Sequence, residues 1–487
     1  MRTDPATRSA RLGTCGLMIA TAMQAADPLI VNVALPQMQE DLGTGIELGG
    51  AWVMTSYLCA TAVMAPLSGW LRRRYGAGWV FQAAVGVYMA ASLLCALAPS
   101  GAVIILFRVL QGAGAGIILP VAQAMLLDIH PEERHGRILA SWGAALMVGP
   151  ILGPLVGGVI TDRLSWRGVF AVNLPLGLLV TVLVQGLRRR EELVRSLPID
   201  WIGIGLLMVG VAALQLSLER SVGRSWLQSP ELIAGSLITV IAFSGLALRM
   251  RRSGFGAFRP AIFKDVNFVV AGFYNFMTSG LLFVTVVFIP ALGQGALGYT
   301  ATLAGFTIVP RAIFMMLVML WVGQLIGKID YRLLLGAGWL LMACGLQVLS
   351  SLTPEAPFYW IIIGSTVQAV GAGMLFTPHS TLAFSTLDSD LRTDAAGIYS
   401  LLRQLGFASG VALMSAVLHV QIDANLSDLH SMIGETGGPL PPELQDTASL
   451  RAYSDCFRAM AVAALAMLPG IWLFRVRSLP RPVGREA

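Results

Sequence analysis

Charge is scarce in this chain. Only 12% of its 487 residues are Asp, Glu, Lys or Arg, where soluble domains carry roughly 25%. With 56% hydrophobic residues and a mean hydropathy of +0.72, that scarcity excludes a soluble globular domain and predicts an all-α polytopic membrane protein. Cysteine is also sparse. Cys15, Cys59, Cys95, Cys344 and Cys456 are scattered, with no CxxC and no Cys/His metal spacing. Neither a disulfide framework nor a zinc site is indicated, and most of these cysteines read as small hydrophobes within apolar runs. There is no G-x-x-x-x-G-K-[ST], so ATP is not the expected energy source. No loop is large enough for a catalytic domain, which argues against an enzyme. No soluble domain is appended, which argues against a receptor or sensor. The pI near 9.3 raises nucleic acid as a partner, but the basic residues sit between apolar runs, where they set membrane orientation instead. The first apolar run follows Arg2, Arg8 and Arg11 without a small-residue cleavage site, so it reads as a retained span.

Apolar runs of about 20 residues are long enough to cross a bilayer as helices. Fourteen are expected: 12–36, 47–71, 78–98, 101–127, 138–161, 168–187, 201–218, 230–248, 267–291, 300–326, 333–352, 358–386, 395–420 and 457–474. An even number puts both termini on one side. With the N-terminus cytoplasmic, 24 of the 33 Lys and Arg fall in cytoplasmic segments and only 9 in external segments or spans. That asymmetry makes both termini cytoplasmic. The longest external segment, about 421–456, contains DANLSDLH and GGPLPPELQD, and reads as an acidic, Gly/Pro-rich loop.

Two adjacent spans carry the strongest functional signal. Arg108 opens RVLQGAGAGIILP inside an apolar run, and the next span contains GPILGPLVGG, with Gly149, Pro150, Gly153, Pro154, Gly157 and Gly158. A charge inside a span is expensive and usually functional. Glycines three and four apart give a smooth stripe on which another helix approaches closely, and the prolines bend the helix. A moving helix interface around a charged, buried site is a transporter's requirement. The chain also repeats itself. QGAGAGIILP from Gln111 to Pro120 is echoed 257 residues later by QAVGAGMLFTP from Gln368 to Pro378, and SGWLRRRYGAG at 68–78 is echoed by VGQLIGKIDYR at 322–332. Two halves in the same orientation are one repeat design of secondary transporters. The expected organisation is an N-terminal six-helix bundle at 1–187, a linker at 188–260 with two extra transmembrane helices, and a C-terminal six-helix bundle at 261–487.

These motifs resemble the major facilitator superfamily, in particular its fourteen-span drug:proton antiporter branch of the EmrB/QacA type. DPLIVNVALP from Asp27 to Pro36 is similar to the first-span signature, with Pro28 where that branch often has a small polar residue. Trp52 and Tyr57 match the second span. Gly69, Leu71 and Gly76 match the loop motif between spans 2 and 3, which has an aspartate where this chain has Arg73. Arg108, Gln111 and Gly112 match the motif associated with proton coupling, and Gly149 to Gly158 match the motif that goes with export by antiport. Trp166, Phe170, Asn173, Pro175 and Gly177 continue the match, as do Pro310-Arg311 and Leu402 to Gly406. The resemblance implies the major facilitator fold: two six-helix bundles rocking about a midplane cavity, with two inserted helices, 14 spans in all.

The expected function is therefore a proton-coupled antiporter for small amphiphilic or toxic molecules. The alternative is a dedicated exporter of one endogenous metabolite, lipid or siderophore. No cofactor or metal is expected, with the proton gradient as energy source. The expected setting is the cytoplasmic (inner) membrane of a bacterium. Expected partners are a small-molecule substrate, protons and the lipid bilayer, and not nucleic acid. An adjacent gene for a periplasmic adaptor would distinguish a tripartite pump, completed by an outer-membrane channel, from a stand-alone one.

Asp27 lies about 13 Å and Arg108 about 12 Å from the outer ends of their spans at ~1.5 Å per residue, so the two can face each other. Low dielectric favours the neutral carboxyl and a neighbouring arginine the ionised one. The pair can thus load and release a proton, or it can be a static ion pair holding two spans together. Arg311 and Arg403 have no acidic partner in sight within the C-terminal half. They can bind an anionic group of a substrate, hold backbone carbonyls, or snorkel. His379 can titrate or be structural. Tyr274 and Asn275, within Phe273 to Met277, and the in-span Gln24, Gln123 and Gln368 complete the candidate cavity lining.

Overall fold

The computed structural model describes residues 5–42, 50–187, 200–220, 229–253, 260–299, 303, 306–353, 356–433 and 442–474. In hydrocarbon the backbone must satisfy its own polar groups, and the described residues do so as helices: α1 Pro5–Leu42, α2 Gly50–Met64, α3 Ser68–Tyr75, α4 Ala77–Ala96, α5 Gly101–Ile129, α6 His135–Arg163, α7 Gly168–Ala171, α8 Asn173–Val184, α9 Trp201–Arg220, α10 Pro230–Ser253, α11 Val266–Gly295, α12 Ile308–Leu325, α13 Tyr331–Ser350, α14 Phe358–Ser385, α15 Arg392–Ile433 and α16 Pro442–Ala466. Among the described residues, thirteen stretches are long and apolar enough to cross a membrane. The further expected span at 47–71 falls on α2, a 3-10 turn at 65–67 and α3, which run on without a break. Pro66 in that turn lacks the backbone donor a continuous α-helix needs.

Local chemistry sets several helix ends. The Phe268 backbone N–H donates to Asp265 Oδ1 at 2.8 Å, and the Arg332 N–H to Asp330 Oδ1 at 2.9 Å, both N-cap contacts. Gly76 and Gly327, each within two residues of a helix end, have φ of 85° and 86°. A φ in that range favours glycine at both positions.

Two bundles form. In the first, α1 packs on α5, α6 and α8, while α4 and α2 pack on α5. In the second, α11 packs on α14 and α15, α12 on α14, and α13 on α14 and α16. The inserted α9 lies against α2 and α15 and carries α10 on its other side. Its end is marked by Arg220 over the Trp52 ring at 4.8 Å.

The bundles meet through α6 with α12 and α5 with α15. On the face that carries the basic turns they are also joined by charge. Arg73 pairs with Asp394, Arg392 pairs with Glu132 at 2.9 Å, and Arg72, paired with Asp128 of its own bundle at 2.7 Å, donates across to Thr393. Arg73 stands where the resembled loop motif has an aspartate. Here the acid sits across the interface, in the first turn of α15, where the helix dipole favours a carboxylate. No side chain fits at Gly397, because the Ala65 carbonyl lies where its Cβ would be.

Two expectations need correction. The segment 421–456 is mostly helical: α15 continues to Ile433 and α16 starts at Pro442, with only 434–441 outside the described residues. Ile422, Asn425 and Leu426 turn inward while Asp423 and Asp428 stay exposed. That is helical periodicity, which outweighs the acidic composition, and Asn425 ties the two helices together by donating to the Ala448 carbonyl at 3.1 Å. Secondly, the helix of the span expected from 395 begins at Arg392 and takes in Asp394, which is buried as Asp27 is.

Candidate functional site

Asp27 and Arg108 come together inside the first bundle. Arg108 Nη1 donates to Asp27 Oδ2 at 2.6 Å, with the two side chains 0% and 1% exposed. Their helices are built for this meeting. The glycine stripe of α6 carries α1: a Cβ on Gly149 would lie 2.5 Å from the Ala25 carbonyl, one on Gly153 2.8 Å from Leu29 Cβ, and one on Gly157 2.9 Å from the Ile30 carbonyl. These residues flank Asp27, so the antiporter-like motif is the bed of the aspartate's own helix. Gly158 lies off the stripe, with nothing within 4 Å of its Cβ position. Nothing is described of the side chains of Pro150 and Pro154.

Around the pair is a shell of neutral polar groups. Asp27 Oδ1 accepts from Gln111 Nε2 at 3.0 Å and Asn173 Nδ2 at 2.9 Å. Ser92 Oγ accepts from both amides, at 2.7 and 3.3 Å. Arg108 also donates to the Gln111 Oε1 at 2.7 Å and from Nε to the Val53 carbonyl at 3.1 Å, and it lies over the Tyr57 ring at 4.0 Å. Both carboxylate oxygens therefore accept charge-assisted or amide hydrogen bonds in a dry site, while Arg108 Nη2 is buried without a hydrogen-bond partner. Gln111, Asn173 and Tyr57 were visible only as motif residues. Ser92, in the apolar run AASLLCA, gave no local signal; a search for polar residues at equal depth would have found it. Gln24 borders this shell by a long contact to the Tyr57 hydroxyl at 3.4 Å. Gln123 is buried, and its amide nitrogen has no hydrogen-bond partner.

The second bundle assembles a different cluster. Arg311 Nη2 donates to Thr285 Oγ1 and to Gln368 Oε1, both at 3.0 Å. Arg403 lies over the Trp142 ring of α6 at 5.8 Å and meets Ser400 Oγ at 3.4 Å. The remaining candidates sit apart from these. Tyr274 and His379 share an aromatic nest with Trp339 and Phe474, ring centres 5.4 to 6.3 Å apart. The Tyr274 hydroxyl donates to the Met467 carbonyl at 2.6 Å. Asn275 ties α11 to α15 by donating to the Tyr399 carbonyl at 3.0 Å. Hence Tyr274, His379 and Asn275 hold the second bundle together and do not join either arginine cluster.

A polytopic helical protein with two repeated bundles, an inserted helix pair and a buried ion pair in one bundle is a secondary-transporter architecture. The chain belongs to the Major Facilitator Superfamily, whose family model matches residues 17–411. Among similar proteins, it is 32% identical over 85% of its length to the "Multidrug export protein EmrB" of Haemophilus influenzae, covering 83% of that protein. It is 28% identical over 94% of its length to the "Fatty acid resistance protein FarB" of Neisseria gonorrhoeae, covering 95% of it. The crystal structure of the human organic anion transporter MFSD10 covers 95% of this chain and 100% of its own, at a TM-score of 0.60 and 13% identity, a likeness of fold alone. The chain is a transporter by family and fold.

Proposed function

We propose that this protein is a proton-coupled antiporter that exports small amphiphilic or toxic molecules across the inner membrane by alternating access, as a multidrug efflux pump. The relatives named for multidrug export and fatty acid resistance support the substrate range. The observation that carries the reading is the buried Asp27–Arg108 pair, with both carboxylate oxygens engaged, on a helix seated against the α6 glycine stripe.

In this reading the basic face is cytoplasmic, and the charge pairs that join the bundles there hold the cytoplasmic side shut. A proton arriving from outside neutralises Asp27 and breaks its attraction to Arg108. That loosens α1 on its glycine bed and frees the bundles to rock. Once the site faces the cytoplasm, Asp27 gives up the proton, pairs again with Arg108, and substrate is taken up for the return. Each turn moves protons inward and substrate outward, so only the gradient supplies energy. Hand-over to a periplasmic adaptor and outer-membrane channel belongs to this proposal in a bacterium with two membranes, and an adaptor gene beside this one would support it.

The test is pH-gradient-driven transport in proteoliposomes. Asp27→Asn keeps size and polarity but carries no charge or titratable proton. It should insert normally, lose gradient-driven transport, and retain exchange of substrate down its own gradient. Undiminished gradient-driven transport in that variant would refute the coupling role.

A further inference from the structure

We propose that Arg311, Thr285 and Gln368 form a subsite inside the second bundle for the carboxylate of an anionic amphiphile. As a substrate site this rests on the export reading above, and it narrows the substrate class.

The internal repeat supplies the first argument. Gln111 and Gln368 occupy equivalent places, and each has its side-chain oxygen on an arginine, at 2.7 Å for Arg108 and 3.0 Å for Arg311. In the first bundle the arginine and glutamine share Asp27. Among the described residues no ion pair includes Arg311 or Arg403. The same scaffold therefore presents a balanced pair in one half and uncompensated positive charge in the other.

The guanidinium itself supplies the second. Arg311 is only 3% exposed, which rules out snorkelling to the surface. Nη2 is held by Thr285 and Gln368, with the Leu282 carbonyl further off at 3.4 Å, while Nη1 is buried without any hydrogen-bond partner. The holders are themselves fixed: the Thr285 hydroxyl donates to the Leu282 carbonyl at 2.8 Å, and Gln368 Nε2 to the Leu281 carbonyl at 3.2 Å. One edge of a rigid fork is thus pinned and the other left with unused donors. A lone buried guanidinium in a membrane interior is strongly disfavoured, and a planar fork with free donors matches a carboxylate.

Position supplies the third. Arg311 lies on α12, which packs against α6 of the other bundle, and Arg403 lies on α15 over Trp142 of that same α6. Both positive charges belong to helices at the interface that alternating access must open. They attract an anion entering it and repel a cation.

The test is equilibrium binding to the full-length protein in lipid nanodiscs, with empty nanodiscs subtracted, using labelled dodecanoate, dodecanol and dodecyltrimethylammonium. The parent should prefer dodecanoate to dodecyltrimethylammonium. Arg311→Gln should weaken dodecanoate by at least about tenfold, as loss of a buried charge partner does, and leave dodecanol within about twofold. Gln368→Glu places a carboxylate of the protein's own against Arg311 and should abolish the dodecanoate preference in a protein that stays folded; it carries the test if Arg311→Gln does not fold. Equal affinity for the anion and the cation in the parent, or undiminished dodecanoate binding in Gln368→Glu, would overturn the proposal. Arg311-dependent dodecanoate binding without any gradient-driven export would leave this site standing and defeat the antiport reading. Gradient-driven export with no preference for anions would do the reverse.

Discussion

Cutting the Asp27–Arg108 pair from either side should give unequal losses, and cutting both should cost less than their sum. At an effective dielectric of about 20, two unit charges roughly 3 Å apart attract by about 5 kcal/mol. Much of that is offset by taking both groups out of water, so the measured loss from removing one partner of a buried pair is about 3–5 kcal/mol. Asp27→Asn leaves Arg108 charged at 0% exposure, and with the amide oxygen on Nη1 the amide nitrogen faces the Gln111 and Asn173 donors, so the upper part of that range applies. Arg108→Gln leaves a carboxyl that still accepts from Gln111 and Asn173 and can escape its burial by taking a proton, so the lower part applies. The double variant leaves two amides of compatible polarity. It should be more stable than additivity predicts, by about 2 kcal/mol or more, in the way contacting partners show coupling. Thermal midpoints of the four purified proteins close the cycle. Additive effects would mean that the pair contributes nothing as a pair, and the proton mechanism built on its making and breaking would fall with it.

The join on the basic face should tolerate exchange of its charges but not loss of one. Arg73→Asp and Asp394→Arg should each lower efflux and crosslinking of cysteines across that face by about tenfold, equivalent to ~1.4 kcal/mol on the closed state, and combining them should restore both; parental crosslinking in either single variant would show that the join is idle. Gly153→Leu should overpack α6 against Leu29 at a cost of about 1–3 kcal/mol and trap the folded protein facing one way. Normal efflux with equal crosslinking at both ends would show that the stripe only shapes static packing.

The parts of this molecule that the membrane dictates were legible in the sequence. Hydrocarbon permits only internally bonded backbone, so apolar run length translates directly into helices. The repeat was equally legible, and its two glutamines, Gln111 and Gln368, each meet an arginine in the fold. The Asp27–Arg108 pair followed from equal depth alone, since helix rise converts residue count into height. Azimuth was not available in that way. Nothing local says which way Asn173 or Ser92 points, so the shell around Asp27 emerged only from packing. The same limit applies to Arg73. Sequence marked it as a departure from the family's loop motif, but its acid is 321 residues away on α15, and long-range charge exchange of this kind leaves no trace in a window of neighbours. The helix through 421–433 was missed for the opposite reason: acidic composition was weighed above the periodicity of Ile422, Asn425 and Leu426.

The two bundles share a scaffold and differ in charge, and that difference bears on how coupling and specificity can be separated. If both halves carried balanced pairs, a bound anion would meet no net charge in either, and selection would rest on shape alone. If both were unbalanced, no carboxylate would be left to carry protons. Here the glutamine repeat places Gln111 beside an arginine and a carboxylate, and Gln368 beside an arginine and a threonine. One half can then exchange protons without changing its contacts to substrate. The other keeps a fixed positive charge through the whole cycle. Arg311 and Arg403 also sit on the helices that meet α6 and α5, both of which pack directly on α1. An anion bound to Arg311 in one bundle and a proton bound on Asp27 in the other would thus act on one interface from opposite sides. That is the physical requirement for antiport: each ligand must favour a different arrangement of the same two bodies.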